Sequence, residues 1–360
     1  MTANTSRHHP AQGDRSAELL SATARDLPPG RHRFHKERLM AQIHDTRQPE
    51  RTPAPAPRRR RFPRPAVALP LTAAALTAAV VAGVTLSGNG GNGVRDAGPA
   101  LTTTIGAASS KGVPQLLDQI SLAAARTSHP DVRPGQYVYL RSRSAESYVR
   151  HVGDKSFLAV HPLHTRQTWM SPDGSKGWLI DPAVDDNPEG ETLDRPDVRG
   201  QTPKPSLNSP SYDYLAKLTT DPDKLLAKIY KETKGQGNSP DQEAFTTIGD
   251  LLGGSYPPAG LYPALFKAAA KIPGVVVVDD ATDAVGRHGV AVARLDETSG
   301  QREEWIFDSR SHVFLGERSV QVRQNSGADG LITPGTVVYT TAILERTVVD
   351  GIRQTPAATS

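Results

Sequence analysis

Apolar residues are distributed in three distinct ways along this chain. Residues 66–86, AVALPLTAAALTAAVVAGVTL, carry no charged side chain. A helix over these 21 positions spans about 31 Å, the thickness of a bilayer's hydrocarbon core. Before this run, large apolar side chains are sparse among Arg, Pro, Ser and His. Beyond residue 112 they recur every second position, or every third and fourth, as strands and amphipathic helices require.

The flanks of the apolar run differ. Arg58, Arg59, Arg60, Arg61 and Arg64 precede it, and Gly, Asn and Ser follow, with no basic residue before Arg95. Read as a transmembrane helix, 66–86 leaves residues 1–65 in the cytoplasm and the C-terminal part outside the cell membrane. Cleavage as an export signal is the competing reading, and the long N-terminal extension argues against it. Within the mostly disordered cytoplasmic arm, 15–25 and 33–44 suit short helices. Leu39, Met40 and Ile43 fall on one side of the second helix, and Arg33 and Lys36 lie on the rest. These five residues are candidate contacts for a cytoplasmic partner; a helix resting on the inner leaflet explains them equally. Residues 47–65 form a Pro/Arg linker, and 87–112 read as a flexible tether.

The outer part, 113–350, begins with a helix over 114–127, where Leu116, Leu117, Ile120, Ala123 and Ala124 form one stripe. Strands are expected at 136–142, 145–153, 166–171 and 176–180, the last two joined by the turn sequence Ser171-Pro172-Asp173-Gly174. Residues 181–211, acidic and Pro-rich, suit a long surface loop. Helices are expected over 222–233, 241–252 and 259–271; Ser239-Pro240-Asp241-Gln242 is a capping-box sequence for the second. Strands return at 275–279, 289–296, 303–308, 313–324 and 337–349, and 351–360 read as a disordered tail. Helices segregated between two runs of antiparallel strands predict an α+β domain.

Charge sharpens this division. The chain has 42 Lys and Arg against 38 Asp and Glu, net +4. Residues 1–64 hold 14 basic and 6 acidic residues, +8, so the remainder carries 4 − 8 = −4. The basic excess belongs to the arm beside the membrane segment, which argues against a nucleic-acid partner for the outer domain. The absence of cysteine excludes disulfides, thiolate catalysis and Cys-ligated zinc.

The sequence points to no catalytic, cofactor-binding or metal-ligating residue. His161 and His164 have the spacing of a helical metal pair, but Pro162 lies between them and no HExxH surrounds them. The acidic stretch 181–197 lacks the regular spacing of a calcium loop. Ser255 follows a helix instead of occupying a strand-to-helix elbow, and His288 sits in a turn. Tyr137 and Tyr139 share a face of one strand, as do Trp305 and Phe307 of another. Core packing explains all four, and lining of an apolar ligand cavity is the alternative.

Taken together, LPPGRHR before a short helix, the Arg run and Ala-rich span, and the blocks QYVYLRSR, SPDGSKGW, LTTDPDKLLAKI, AFTTIGDLL, KIPGVVVVDDATDAVGRHGVAVAR and EEWIFDSRSHVFLGER carry a resemblance. The chain resembles an actinobacterial family of single-pass membrane proteins whose genes often lie beside those of extracytoplasmic-function sigma factors. That resemblance implies a regulatory setting, with a sigma factor or another regulator as the cytoplasmic partner. It brings no activity and no catalytic residues. The order of elements also resembles, at fold level, lipoprotein-carrier half-barrels, in which a curved antiparallel sheet wraps inserted helices. The expected protein is thus a non-enzymatic anchored sensor or binding protein. An anchored carrier of a lipid or other apolar ligand is the alternative, and an envelope hydrolase is the weakest reading.

Overall fold

In the computed structural model, residues 101–127, 130–152, 155–184, 187–196, 200, 202, 204–324 and 330–356 are described. The candidate partner contacts Arg33, Lys36, Leu39, Met40 and Ile43 lie outside the described residues, as does the apolar run 66–86. Among the described residues, no helix is long and apolar enough to cross a membrane.

The elements are β1 (Ala108–Ser109), α1 (Val113–Arg126), β2 (Tyr137–Val152), β3 (Lys155–Met170), β4 (Gly177–Ile180), β5 (Glu191–Thr192), α2 (Tyr212–Leu215), α3 (Pro222–Glu232), α4 (Pro240–Gly254), α5 (Leu261–Ala269), β6 (Val275–Thr282), β7 (His288–Leu295), β8 (Gln301–Phe307), β9 (Phe314–Gln321) and β10 (Val337–Val349). The strands form one open sheet of ten, in the order β1-β6-β7-β8-β9-β10-β2-β3-β4-β5. Each pairing is antiparallel. The domain is α+β.

Helices α2, α3 and α4 start where side chains satisfy their free N–H groups. Asp221 accepts from the amides of Asp223 and Lys224 ahead of α3, and Ser239 Oγ accepts from Gln242 N at 3.1 Å ahead of α4. Each of the two has Pro in its first turn, where a missing N–H costs nothing. α1 packs on α5 and β6, α3 on α4 and α5, and α4 on β7 and β9. Between helices and sheet lies the main core, including Leu117, Ile120, Leu225, Ile229, Phe245, Ile248, Leu265, Phe266, Trp305 and Phe307.

Three segments differ from the sequence expectation. Residues 101–112, expected in the tether, are part of the domain. Thr102 bridges to Thr336, Val337 N donates to Leu101 O, and β1 pairs with β6. This strap crosses the sheet face opposite the helices, where Arg302 and Arg318 bond to it and where Val278, Ala291, Ala293, Ile306 and Leu315 cluster. Gly106 allows the close approach, since a Cβ there would sit 2.9 Å from Val278 Cγ1. The expected breaks between strands at 136–142 and 145–153, and before 166, vanish into two 16-residue strands, β2 and β3. In the expected surface loop 181–211, Asp181 and Leu207 are buried. The start of the expected tail, 351–356, also packs back: Trp169 Nε1 donates to Gln354 O at 2.6 Å.

Candidate functional site

The alternation that makes β8 a strand sends Glu303, Trp305 and Phe307 toward the helices, and Arg302, Glu304 and Ile306 to the other side. α4 begins over Glu303. Glu303 Oε2 accepts from Thr246 Oγ1 at 2.7 Å and from Gln242 Nε2 at 3.1 Å, and Oε1 accepts from Trp305 Nε1 at 3.2 Å. Gln242 Oε1 in turn accepts from buried Arg294 Nη1 at 2.7 Å. Arg294 also donates to Pro273 O, 2.9 Å away.

Glu243 completes this cluster. The residue is 1% exposed, and among the described residues Oε1 has no hydrogen-bond partner. Burial first, and the negative charge of Glu303 second, push its carboxyl up to about 7. On the same helix, one turn on, buried Thr247 Oγ1 is also unpartnered among the described residues. The arrangement holds a proton near neutrality. The carboxyl itself is sealed from solvent.

A second cluster sits where β3 bulges. Register shifts between Ser144 and Glu146 of β2, and the extra residue of β3 falls at Pro162-Leu163. The bulge sets His161 opposite Glu146 and His164 opposite Ser144, so both histidines share a face. His161 Nε2 lies 3.8 Å from Glu146 Oε1, and its ring stacks on Tyr148. His164 Nε2 lies 3.3 Å from Asp181 Oδ1, while Arg166 Nη1 donates to Asp181 Oδ2 at 2.6 Å. Each imidazole thus has its own carboxylate. Among the described residues no group of three or more His, Cys, Asp or Glu side chains is placed to hold a metal ion.

Other sequence candidates fall in structural roles. Ser255 Oγ donates to Leu251 O at 2.6 Å, at the C-terminal end of α4. His288 pairs with Asp280 at the surface, Nδ1 to Oδ1 2.6 Å.

The four aromatic residues named as cavity lining do not come together. Trp305 stacks on Phe245, and Phe307 meets Phe266 and Phe314 edge-on, all in the helix-side core. Paired residues in an antiparallel ladder share a face. The ladder Trp305, Glu317, Thr341, Ser144, His164 therefore puts Ser144 on the helix side. Tyr139, five residues before Ser144, faces the opposite way. There it packs with Trp169 and Val349, with Tyr137, Trp178 and Ile180 against them.

The Glu243–Glu303 pair was not legible in the sequence; Glu243 lies in a stretch of α4 buried on nearly every side. A signal exists in hindsight: an acid two positions before Phe245, within the first turn, competes with cap chemistry for the same explanation.

No family model matches the chain, and no curated protein matches it. A solved structure that it resembles is the complex of Pseudomonas aeruginosa MucA/MucB, at 11% identity and a TM-score of 0.23, over 69% of this chain and 59% of that one. The match thus spans less than two thirds of that chain's length, and similarity at this level carries no argument about fold or function.

Proposed function

We propose that this chain is a non-enzymatic, single-pass membrane protein. Its α+β domain stands outside the cell membrane as a sensor or binding module, and its basic arm, 1–65, contacts a cytoplasmic regulator, with a sigma factor as the partner class. The sheet is read as half-barrel-like, wrapping α3, α4 and α5. The observation that carries this reading is the short path from the apolar run to the fold. Only 14 residues separate residue 86 from residue 101, where the strap is already stitched to β10. A domain leashed so closely to a span is well suited to passing its state across it. The interior, filled by Phe245, Trp305, Phe266 and Phe307, favours recognition at the surface over carriage of a lipid within.

The test deletes residues 1–50, keeping the Arg flank and the span so that insertion is preserved. Transcription dependent on extracytoplasmic-function sigma factors of the same cell is then measured, and the purified arm is assayed for binding to each of them. A changed transcript level together with direct binding supports the reading. Unchanged transcription and no binding would sink it. Extraction and mass spectrometry of the full chain should return no stoichiometric apolar ligand.

A further inference from the structure

We propose that the outer half of the β2–β3 hairpin, residues 147–152 and 155–160, is a membrane-contact arm that rests on the anionic headgroup surface of the bilayer. The inference rests on reading 66–86 as the anchor, and it adds a second point of attachment.

The geometry begins at the root of the hairpin. β2 pairs with β10 only as far as Glu146, opposite Tyr339. Beyond that point, among the described residues, Ser147 to Val152 pair only with Val160 to Lys155 of β3. Six residues at about 3.3 Å each carry this two-stranded ribbon about 20 Å beyond its last pairing with β10.

The chain enters the domain at the same place. Ser147 Oγ donates to Val337 O at 2.9 Å, and Val337 N donates to Leu101 O at 2.8 Å. One residue of β10 therefore joins the base of the arm to the first residues of the strap. From residue 86 to residue 101 the backbone reaches at most about 50 Å when fully extended. The end of the domain that bears the arm is thus held toward the bilayer, and the arm covers a large part of that distance.

Its side chains suit a headgroup layer. Arg150 stands directly opposite Phe157, both exposed, and Lys155 is exposed beside them. Val149 and Leu158, also paired, are half-buried on the other face. An aromatic ring flanked by long cationic side chains can sit at the level of the headgroups while the cations reach lipid phosphates. Asp154, between the strands in sequence, is the one acidic residue in this stretch, against Arg150 and Lys155. The attraction is therefore to an anionic surface, and it weakens with salt.

The chain has no cysteine, so one introduced thiol gives a unique label. Full-length chains carrying Ser156→Cys or Ser309→Cys are labelled with a polarity-sensitive fluorophore. Ser309 lies in the turn before β9, at the far end of the strands from the arm. The labelled chains are placed in nanodiscs of phosphatidylcholine alone, or of phosphatidylcholine with phosphatidylglycerol. Expected is a blue shift and quenching by headgroup-level lipid quenchers at position 156 only, in anionic discs only. High salt, or Arg150→Glu with Lys155→Glu, should abolish the shift while the chain stays disc-bound. A fully aqueous signal at 156 with the span inserted would overturn the arm and leave the anchor standing. Equal shifts in neutral discs, or equal shifts at 156 and 309, would overturn it as well. A chain that elutes free of the discs would overturn the anchor and the arm together.

Discussion

The ring of Phe245 lies flat on the indole of Trp305, centroids 3.8 Å apart and planes 7° from parallel. Both side chains are fully buried. This contact fastens α4 to the middle of the sheet, and Trp305 Nε1, bonded to Glu303, fixes the ring's orientation. Truncating Phe245→Ala removes a large buried ring and its stacking partner, and should cost about 3–5 kcal/mol. Urea unfolding followed by tryptophan fluorescence measures it. All of the chain's tryptophans, Trp169, Trp178 and Trp305, lie in this domain, so the full-length protein reports on it cleanly. A loss below about 1 kcal/mol would mean that the stack does not hold α4 in place.

Gly249 tests the same contact from the helix side. In an exposed helix interior, Gly→Ala gains roughly 1 kcal/mol. Here a Cβ would lie 2.4 Å from Trp305 Nε1 and 2.9 Å from Glu303 Oε1. The indole must shift and its bond to Glu303 must break. Gly249→Ala is expected to destabilise by about 1–3 kcal/mol, with a changed Trp305 emission. A variant as stable as the parent would show that the helix can slide at no cost.

Glu243 should make stability depend on pH near neutrality. Its folded carboxyl is pushed up to about 7 by burial and by Glu303, whereas an unfolded chain releases the proton near 4.3, roughly the ordinary carboxyl value. Between those values the native state binds more protons, so stability falls as pH rises through this window and levels off above it. The full difference is on the order of 3 kcal/mol. Gln keeps the shape of the protonated acid. Glu243→Gln should match the parent at pH 5 and exceed it by about 2–3 kcal/mol at pH 8. Denaturation midpoints at both values decide this; parallel loss in the two proteins would assign the pH dependence to other groups.

Much of the fold could be read from the sequence where one side of an element is apolar and the other wet. β6 to β10 fall within a few residues of expectation, because β-branched alternation and Gly/Asp turns mark them. α3 and α4 begin where Asp221 and Ser239 cap them. The strap was unreadable because Thr, Gly and Ala over 101–109 look like linker; only pairing with Thr336 and Val278 makes them structure. The sequence breaks β2 at Arg143-Ser144 and starts β3 only at Arg166, because polar residues such as Arg143 and His161 interrupt the apolar pattern, yet a sheet with polar groups on both faces tolerates them. Alternation also groups aromatics within a strand correctly, Tyr137 with Tyr139 and Trp305 with Phe307. It does not say which face of the sheet each strand presents, and the two pairs lie on opposite sides. The least legible feature is the set of buried charges at alternate positions of β8 and in β9.

Arg302, Glu304 and Arg318 form that buried triad. Glu304 Oε1 accepts from Arg302 Nε at 2.7 Å and Oε2 from Arg318 Nε at 2.6 Å, with the acid fully enclosed. Both guanidinium groups then reach the strap: Arg302 Nη1 donates to Gly106 O at 3.0 Å, and Arg318 Nη1 to Thr103 Oγ1 at 3.3 Å. Glu304→Gln leaves two cations buried without a counter-charge, at a cost of about 3–5 kcal/mol. It should also speed hydrogen exchange at the Thr103 amide, which donates to Gly335 O. Replacing all three by Met, Leu and Met removes the uncompensated charge and should restore global stability to within about 1–2 kcal/mol of the parent. Exchange in 101–109 should nonetheless stay fast, because the contacts to Gly106 and Thr103 are gone. The two readouts separate what the triad does for the fold from what it does for the strap. Slow exchange in the triple variant would show that backbone pairing with Thr336 and Val278 holds the strap unaided, and that the triad serves only to neutralise itself.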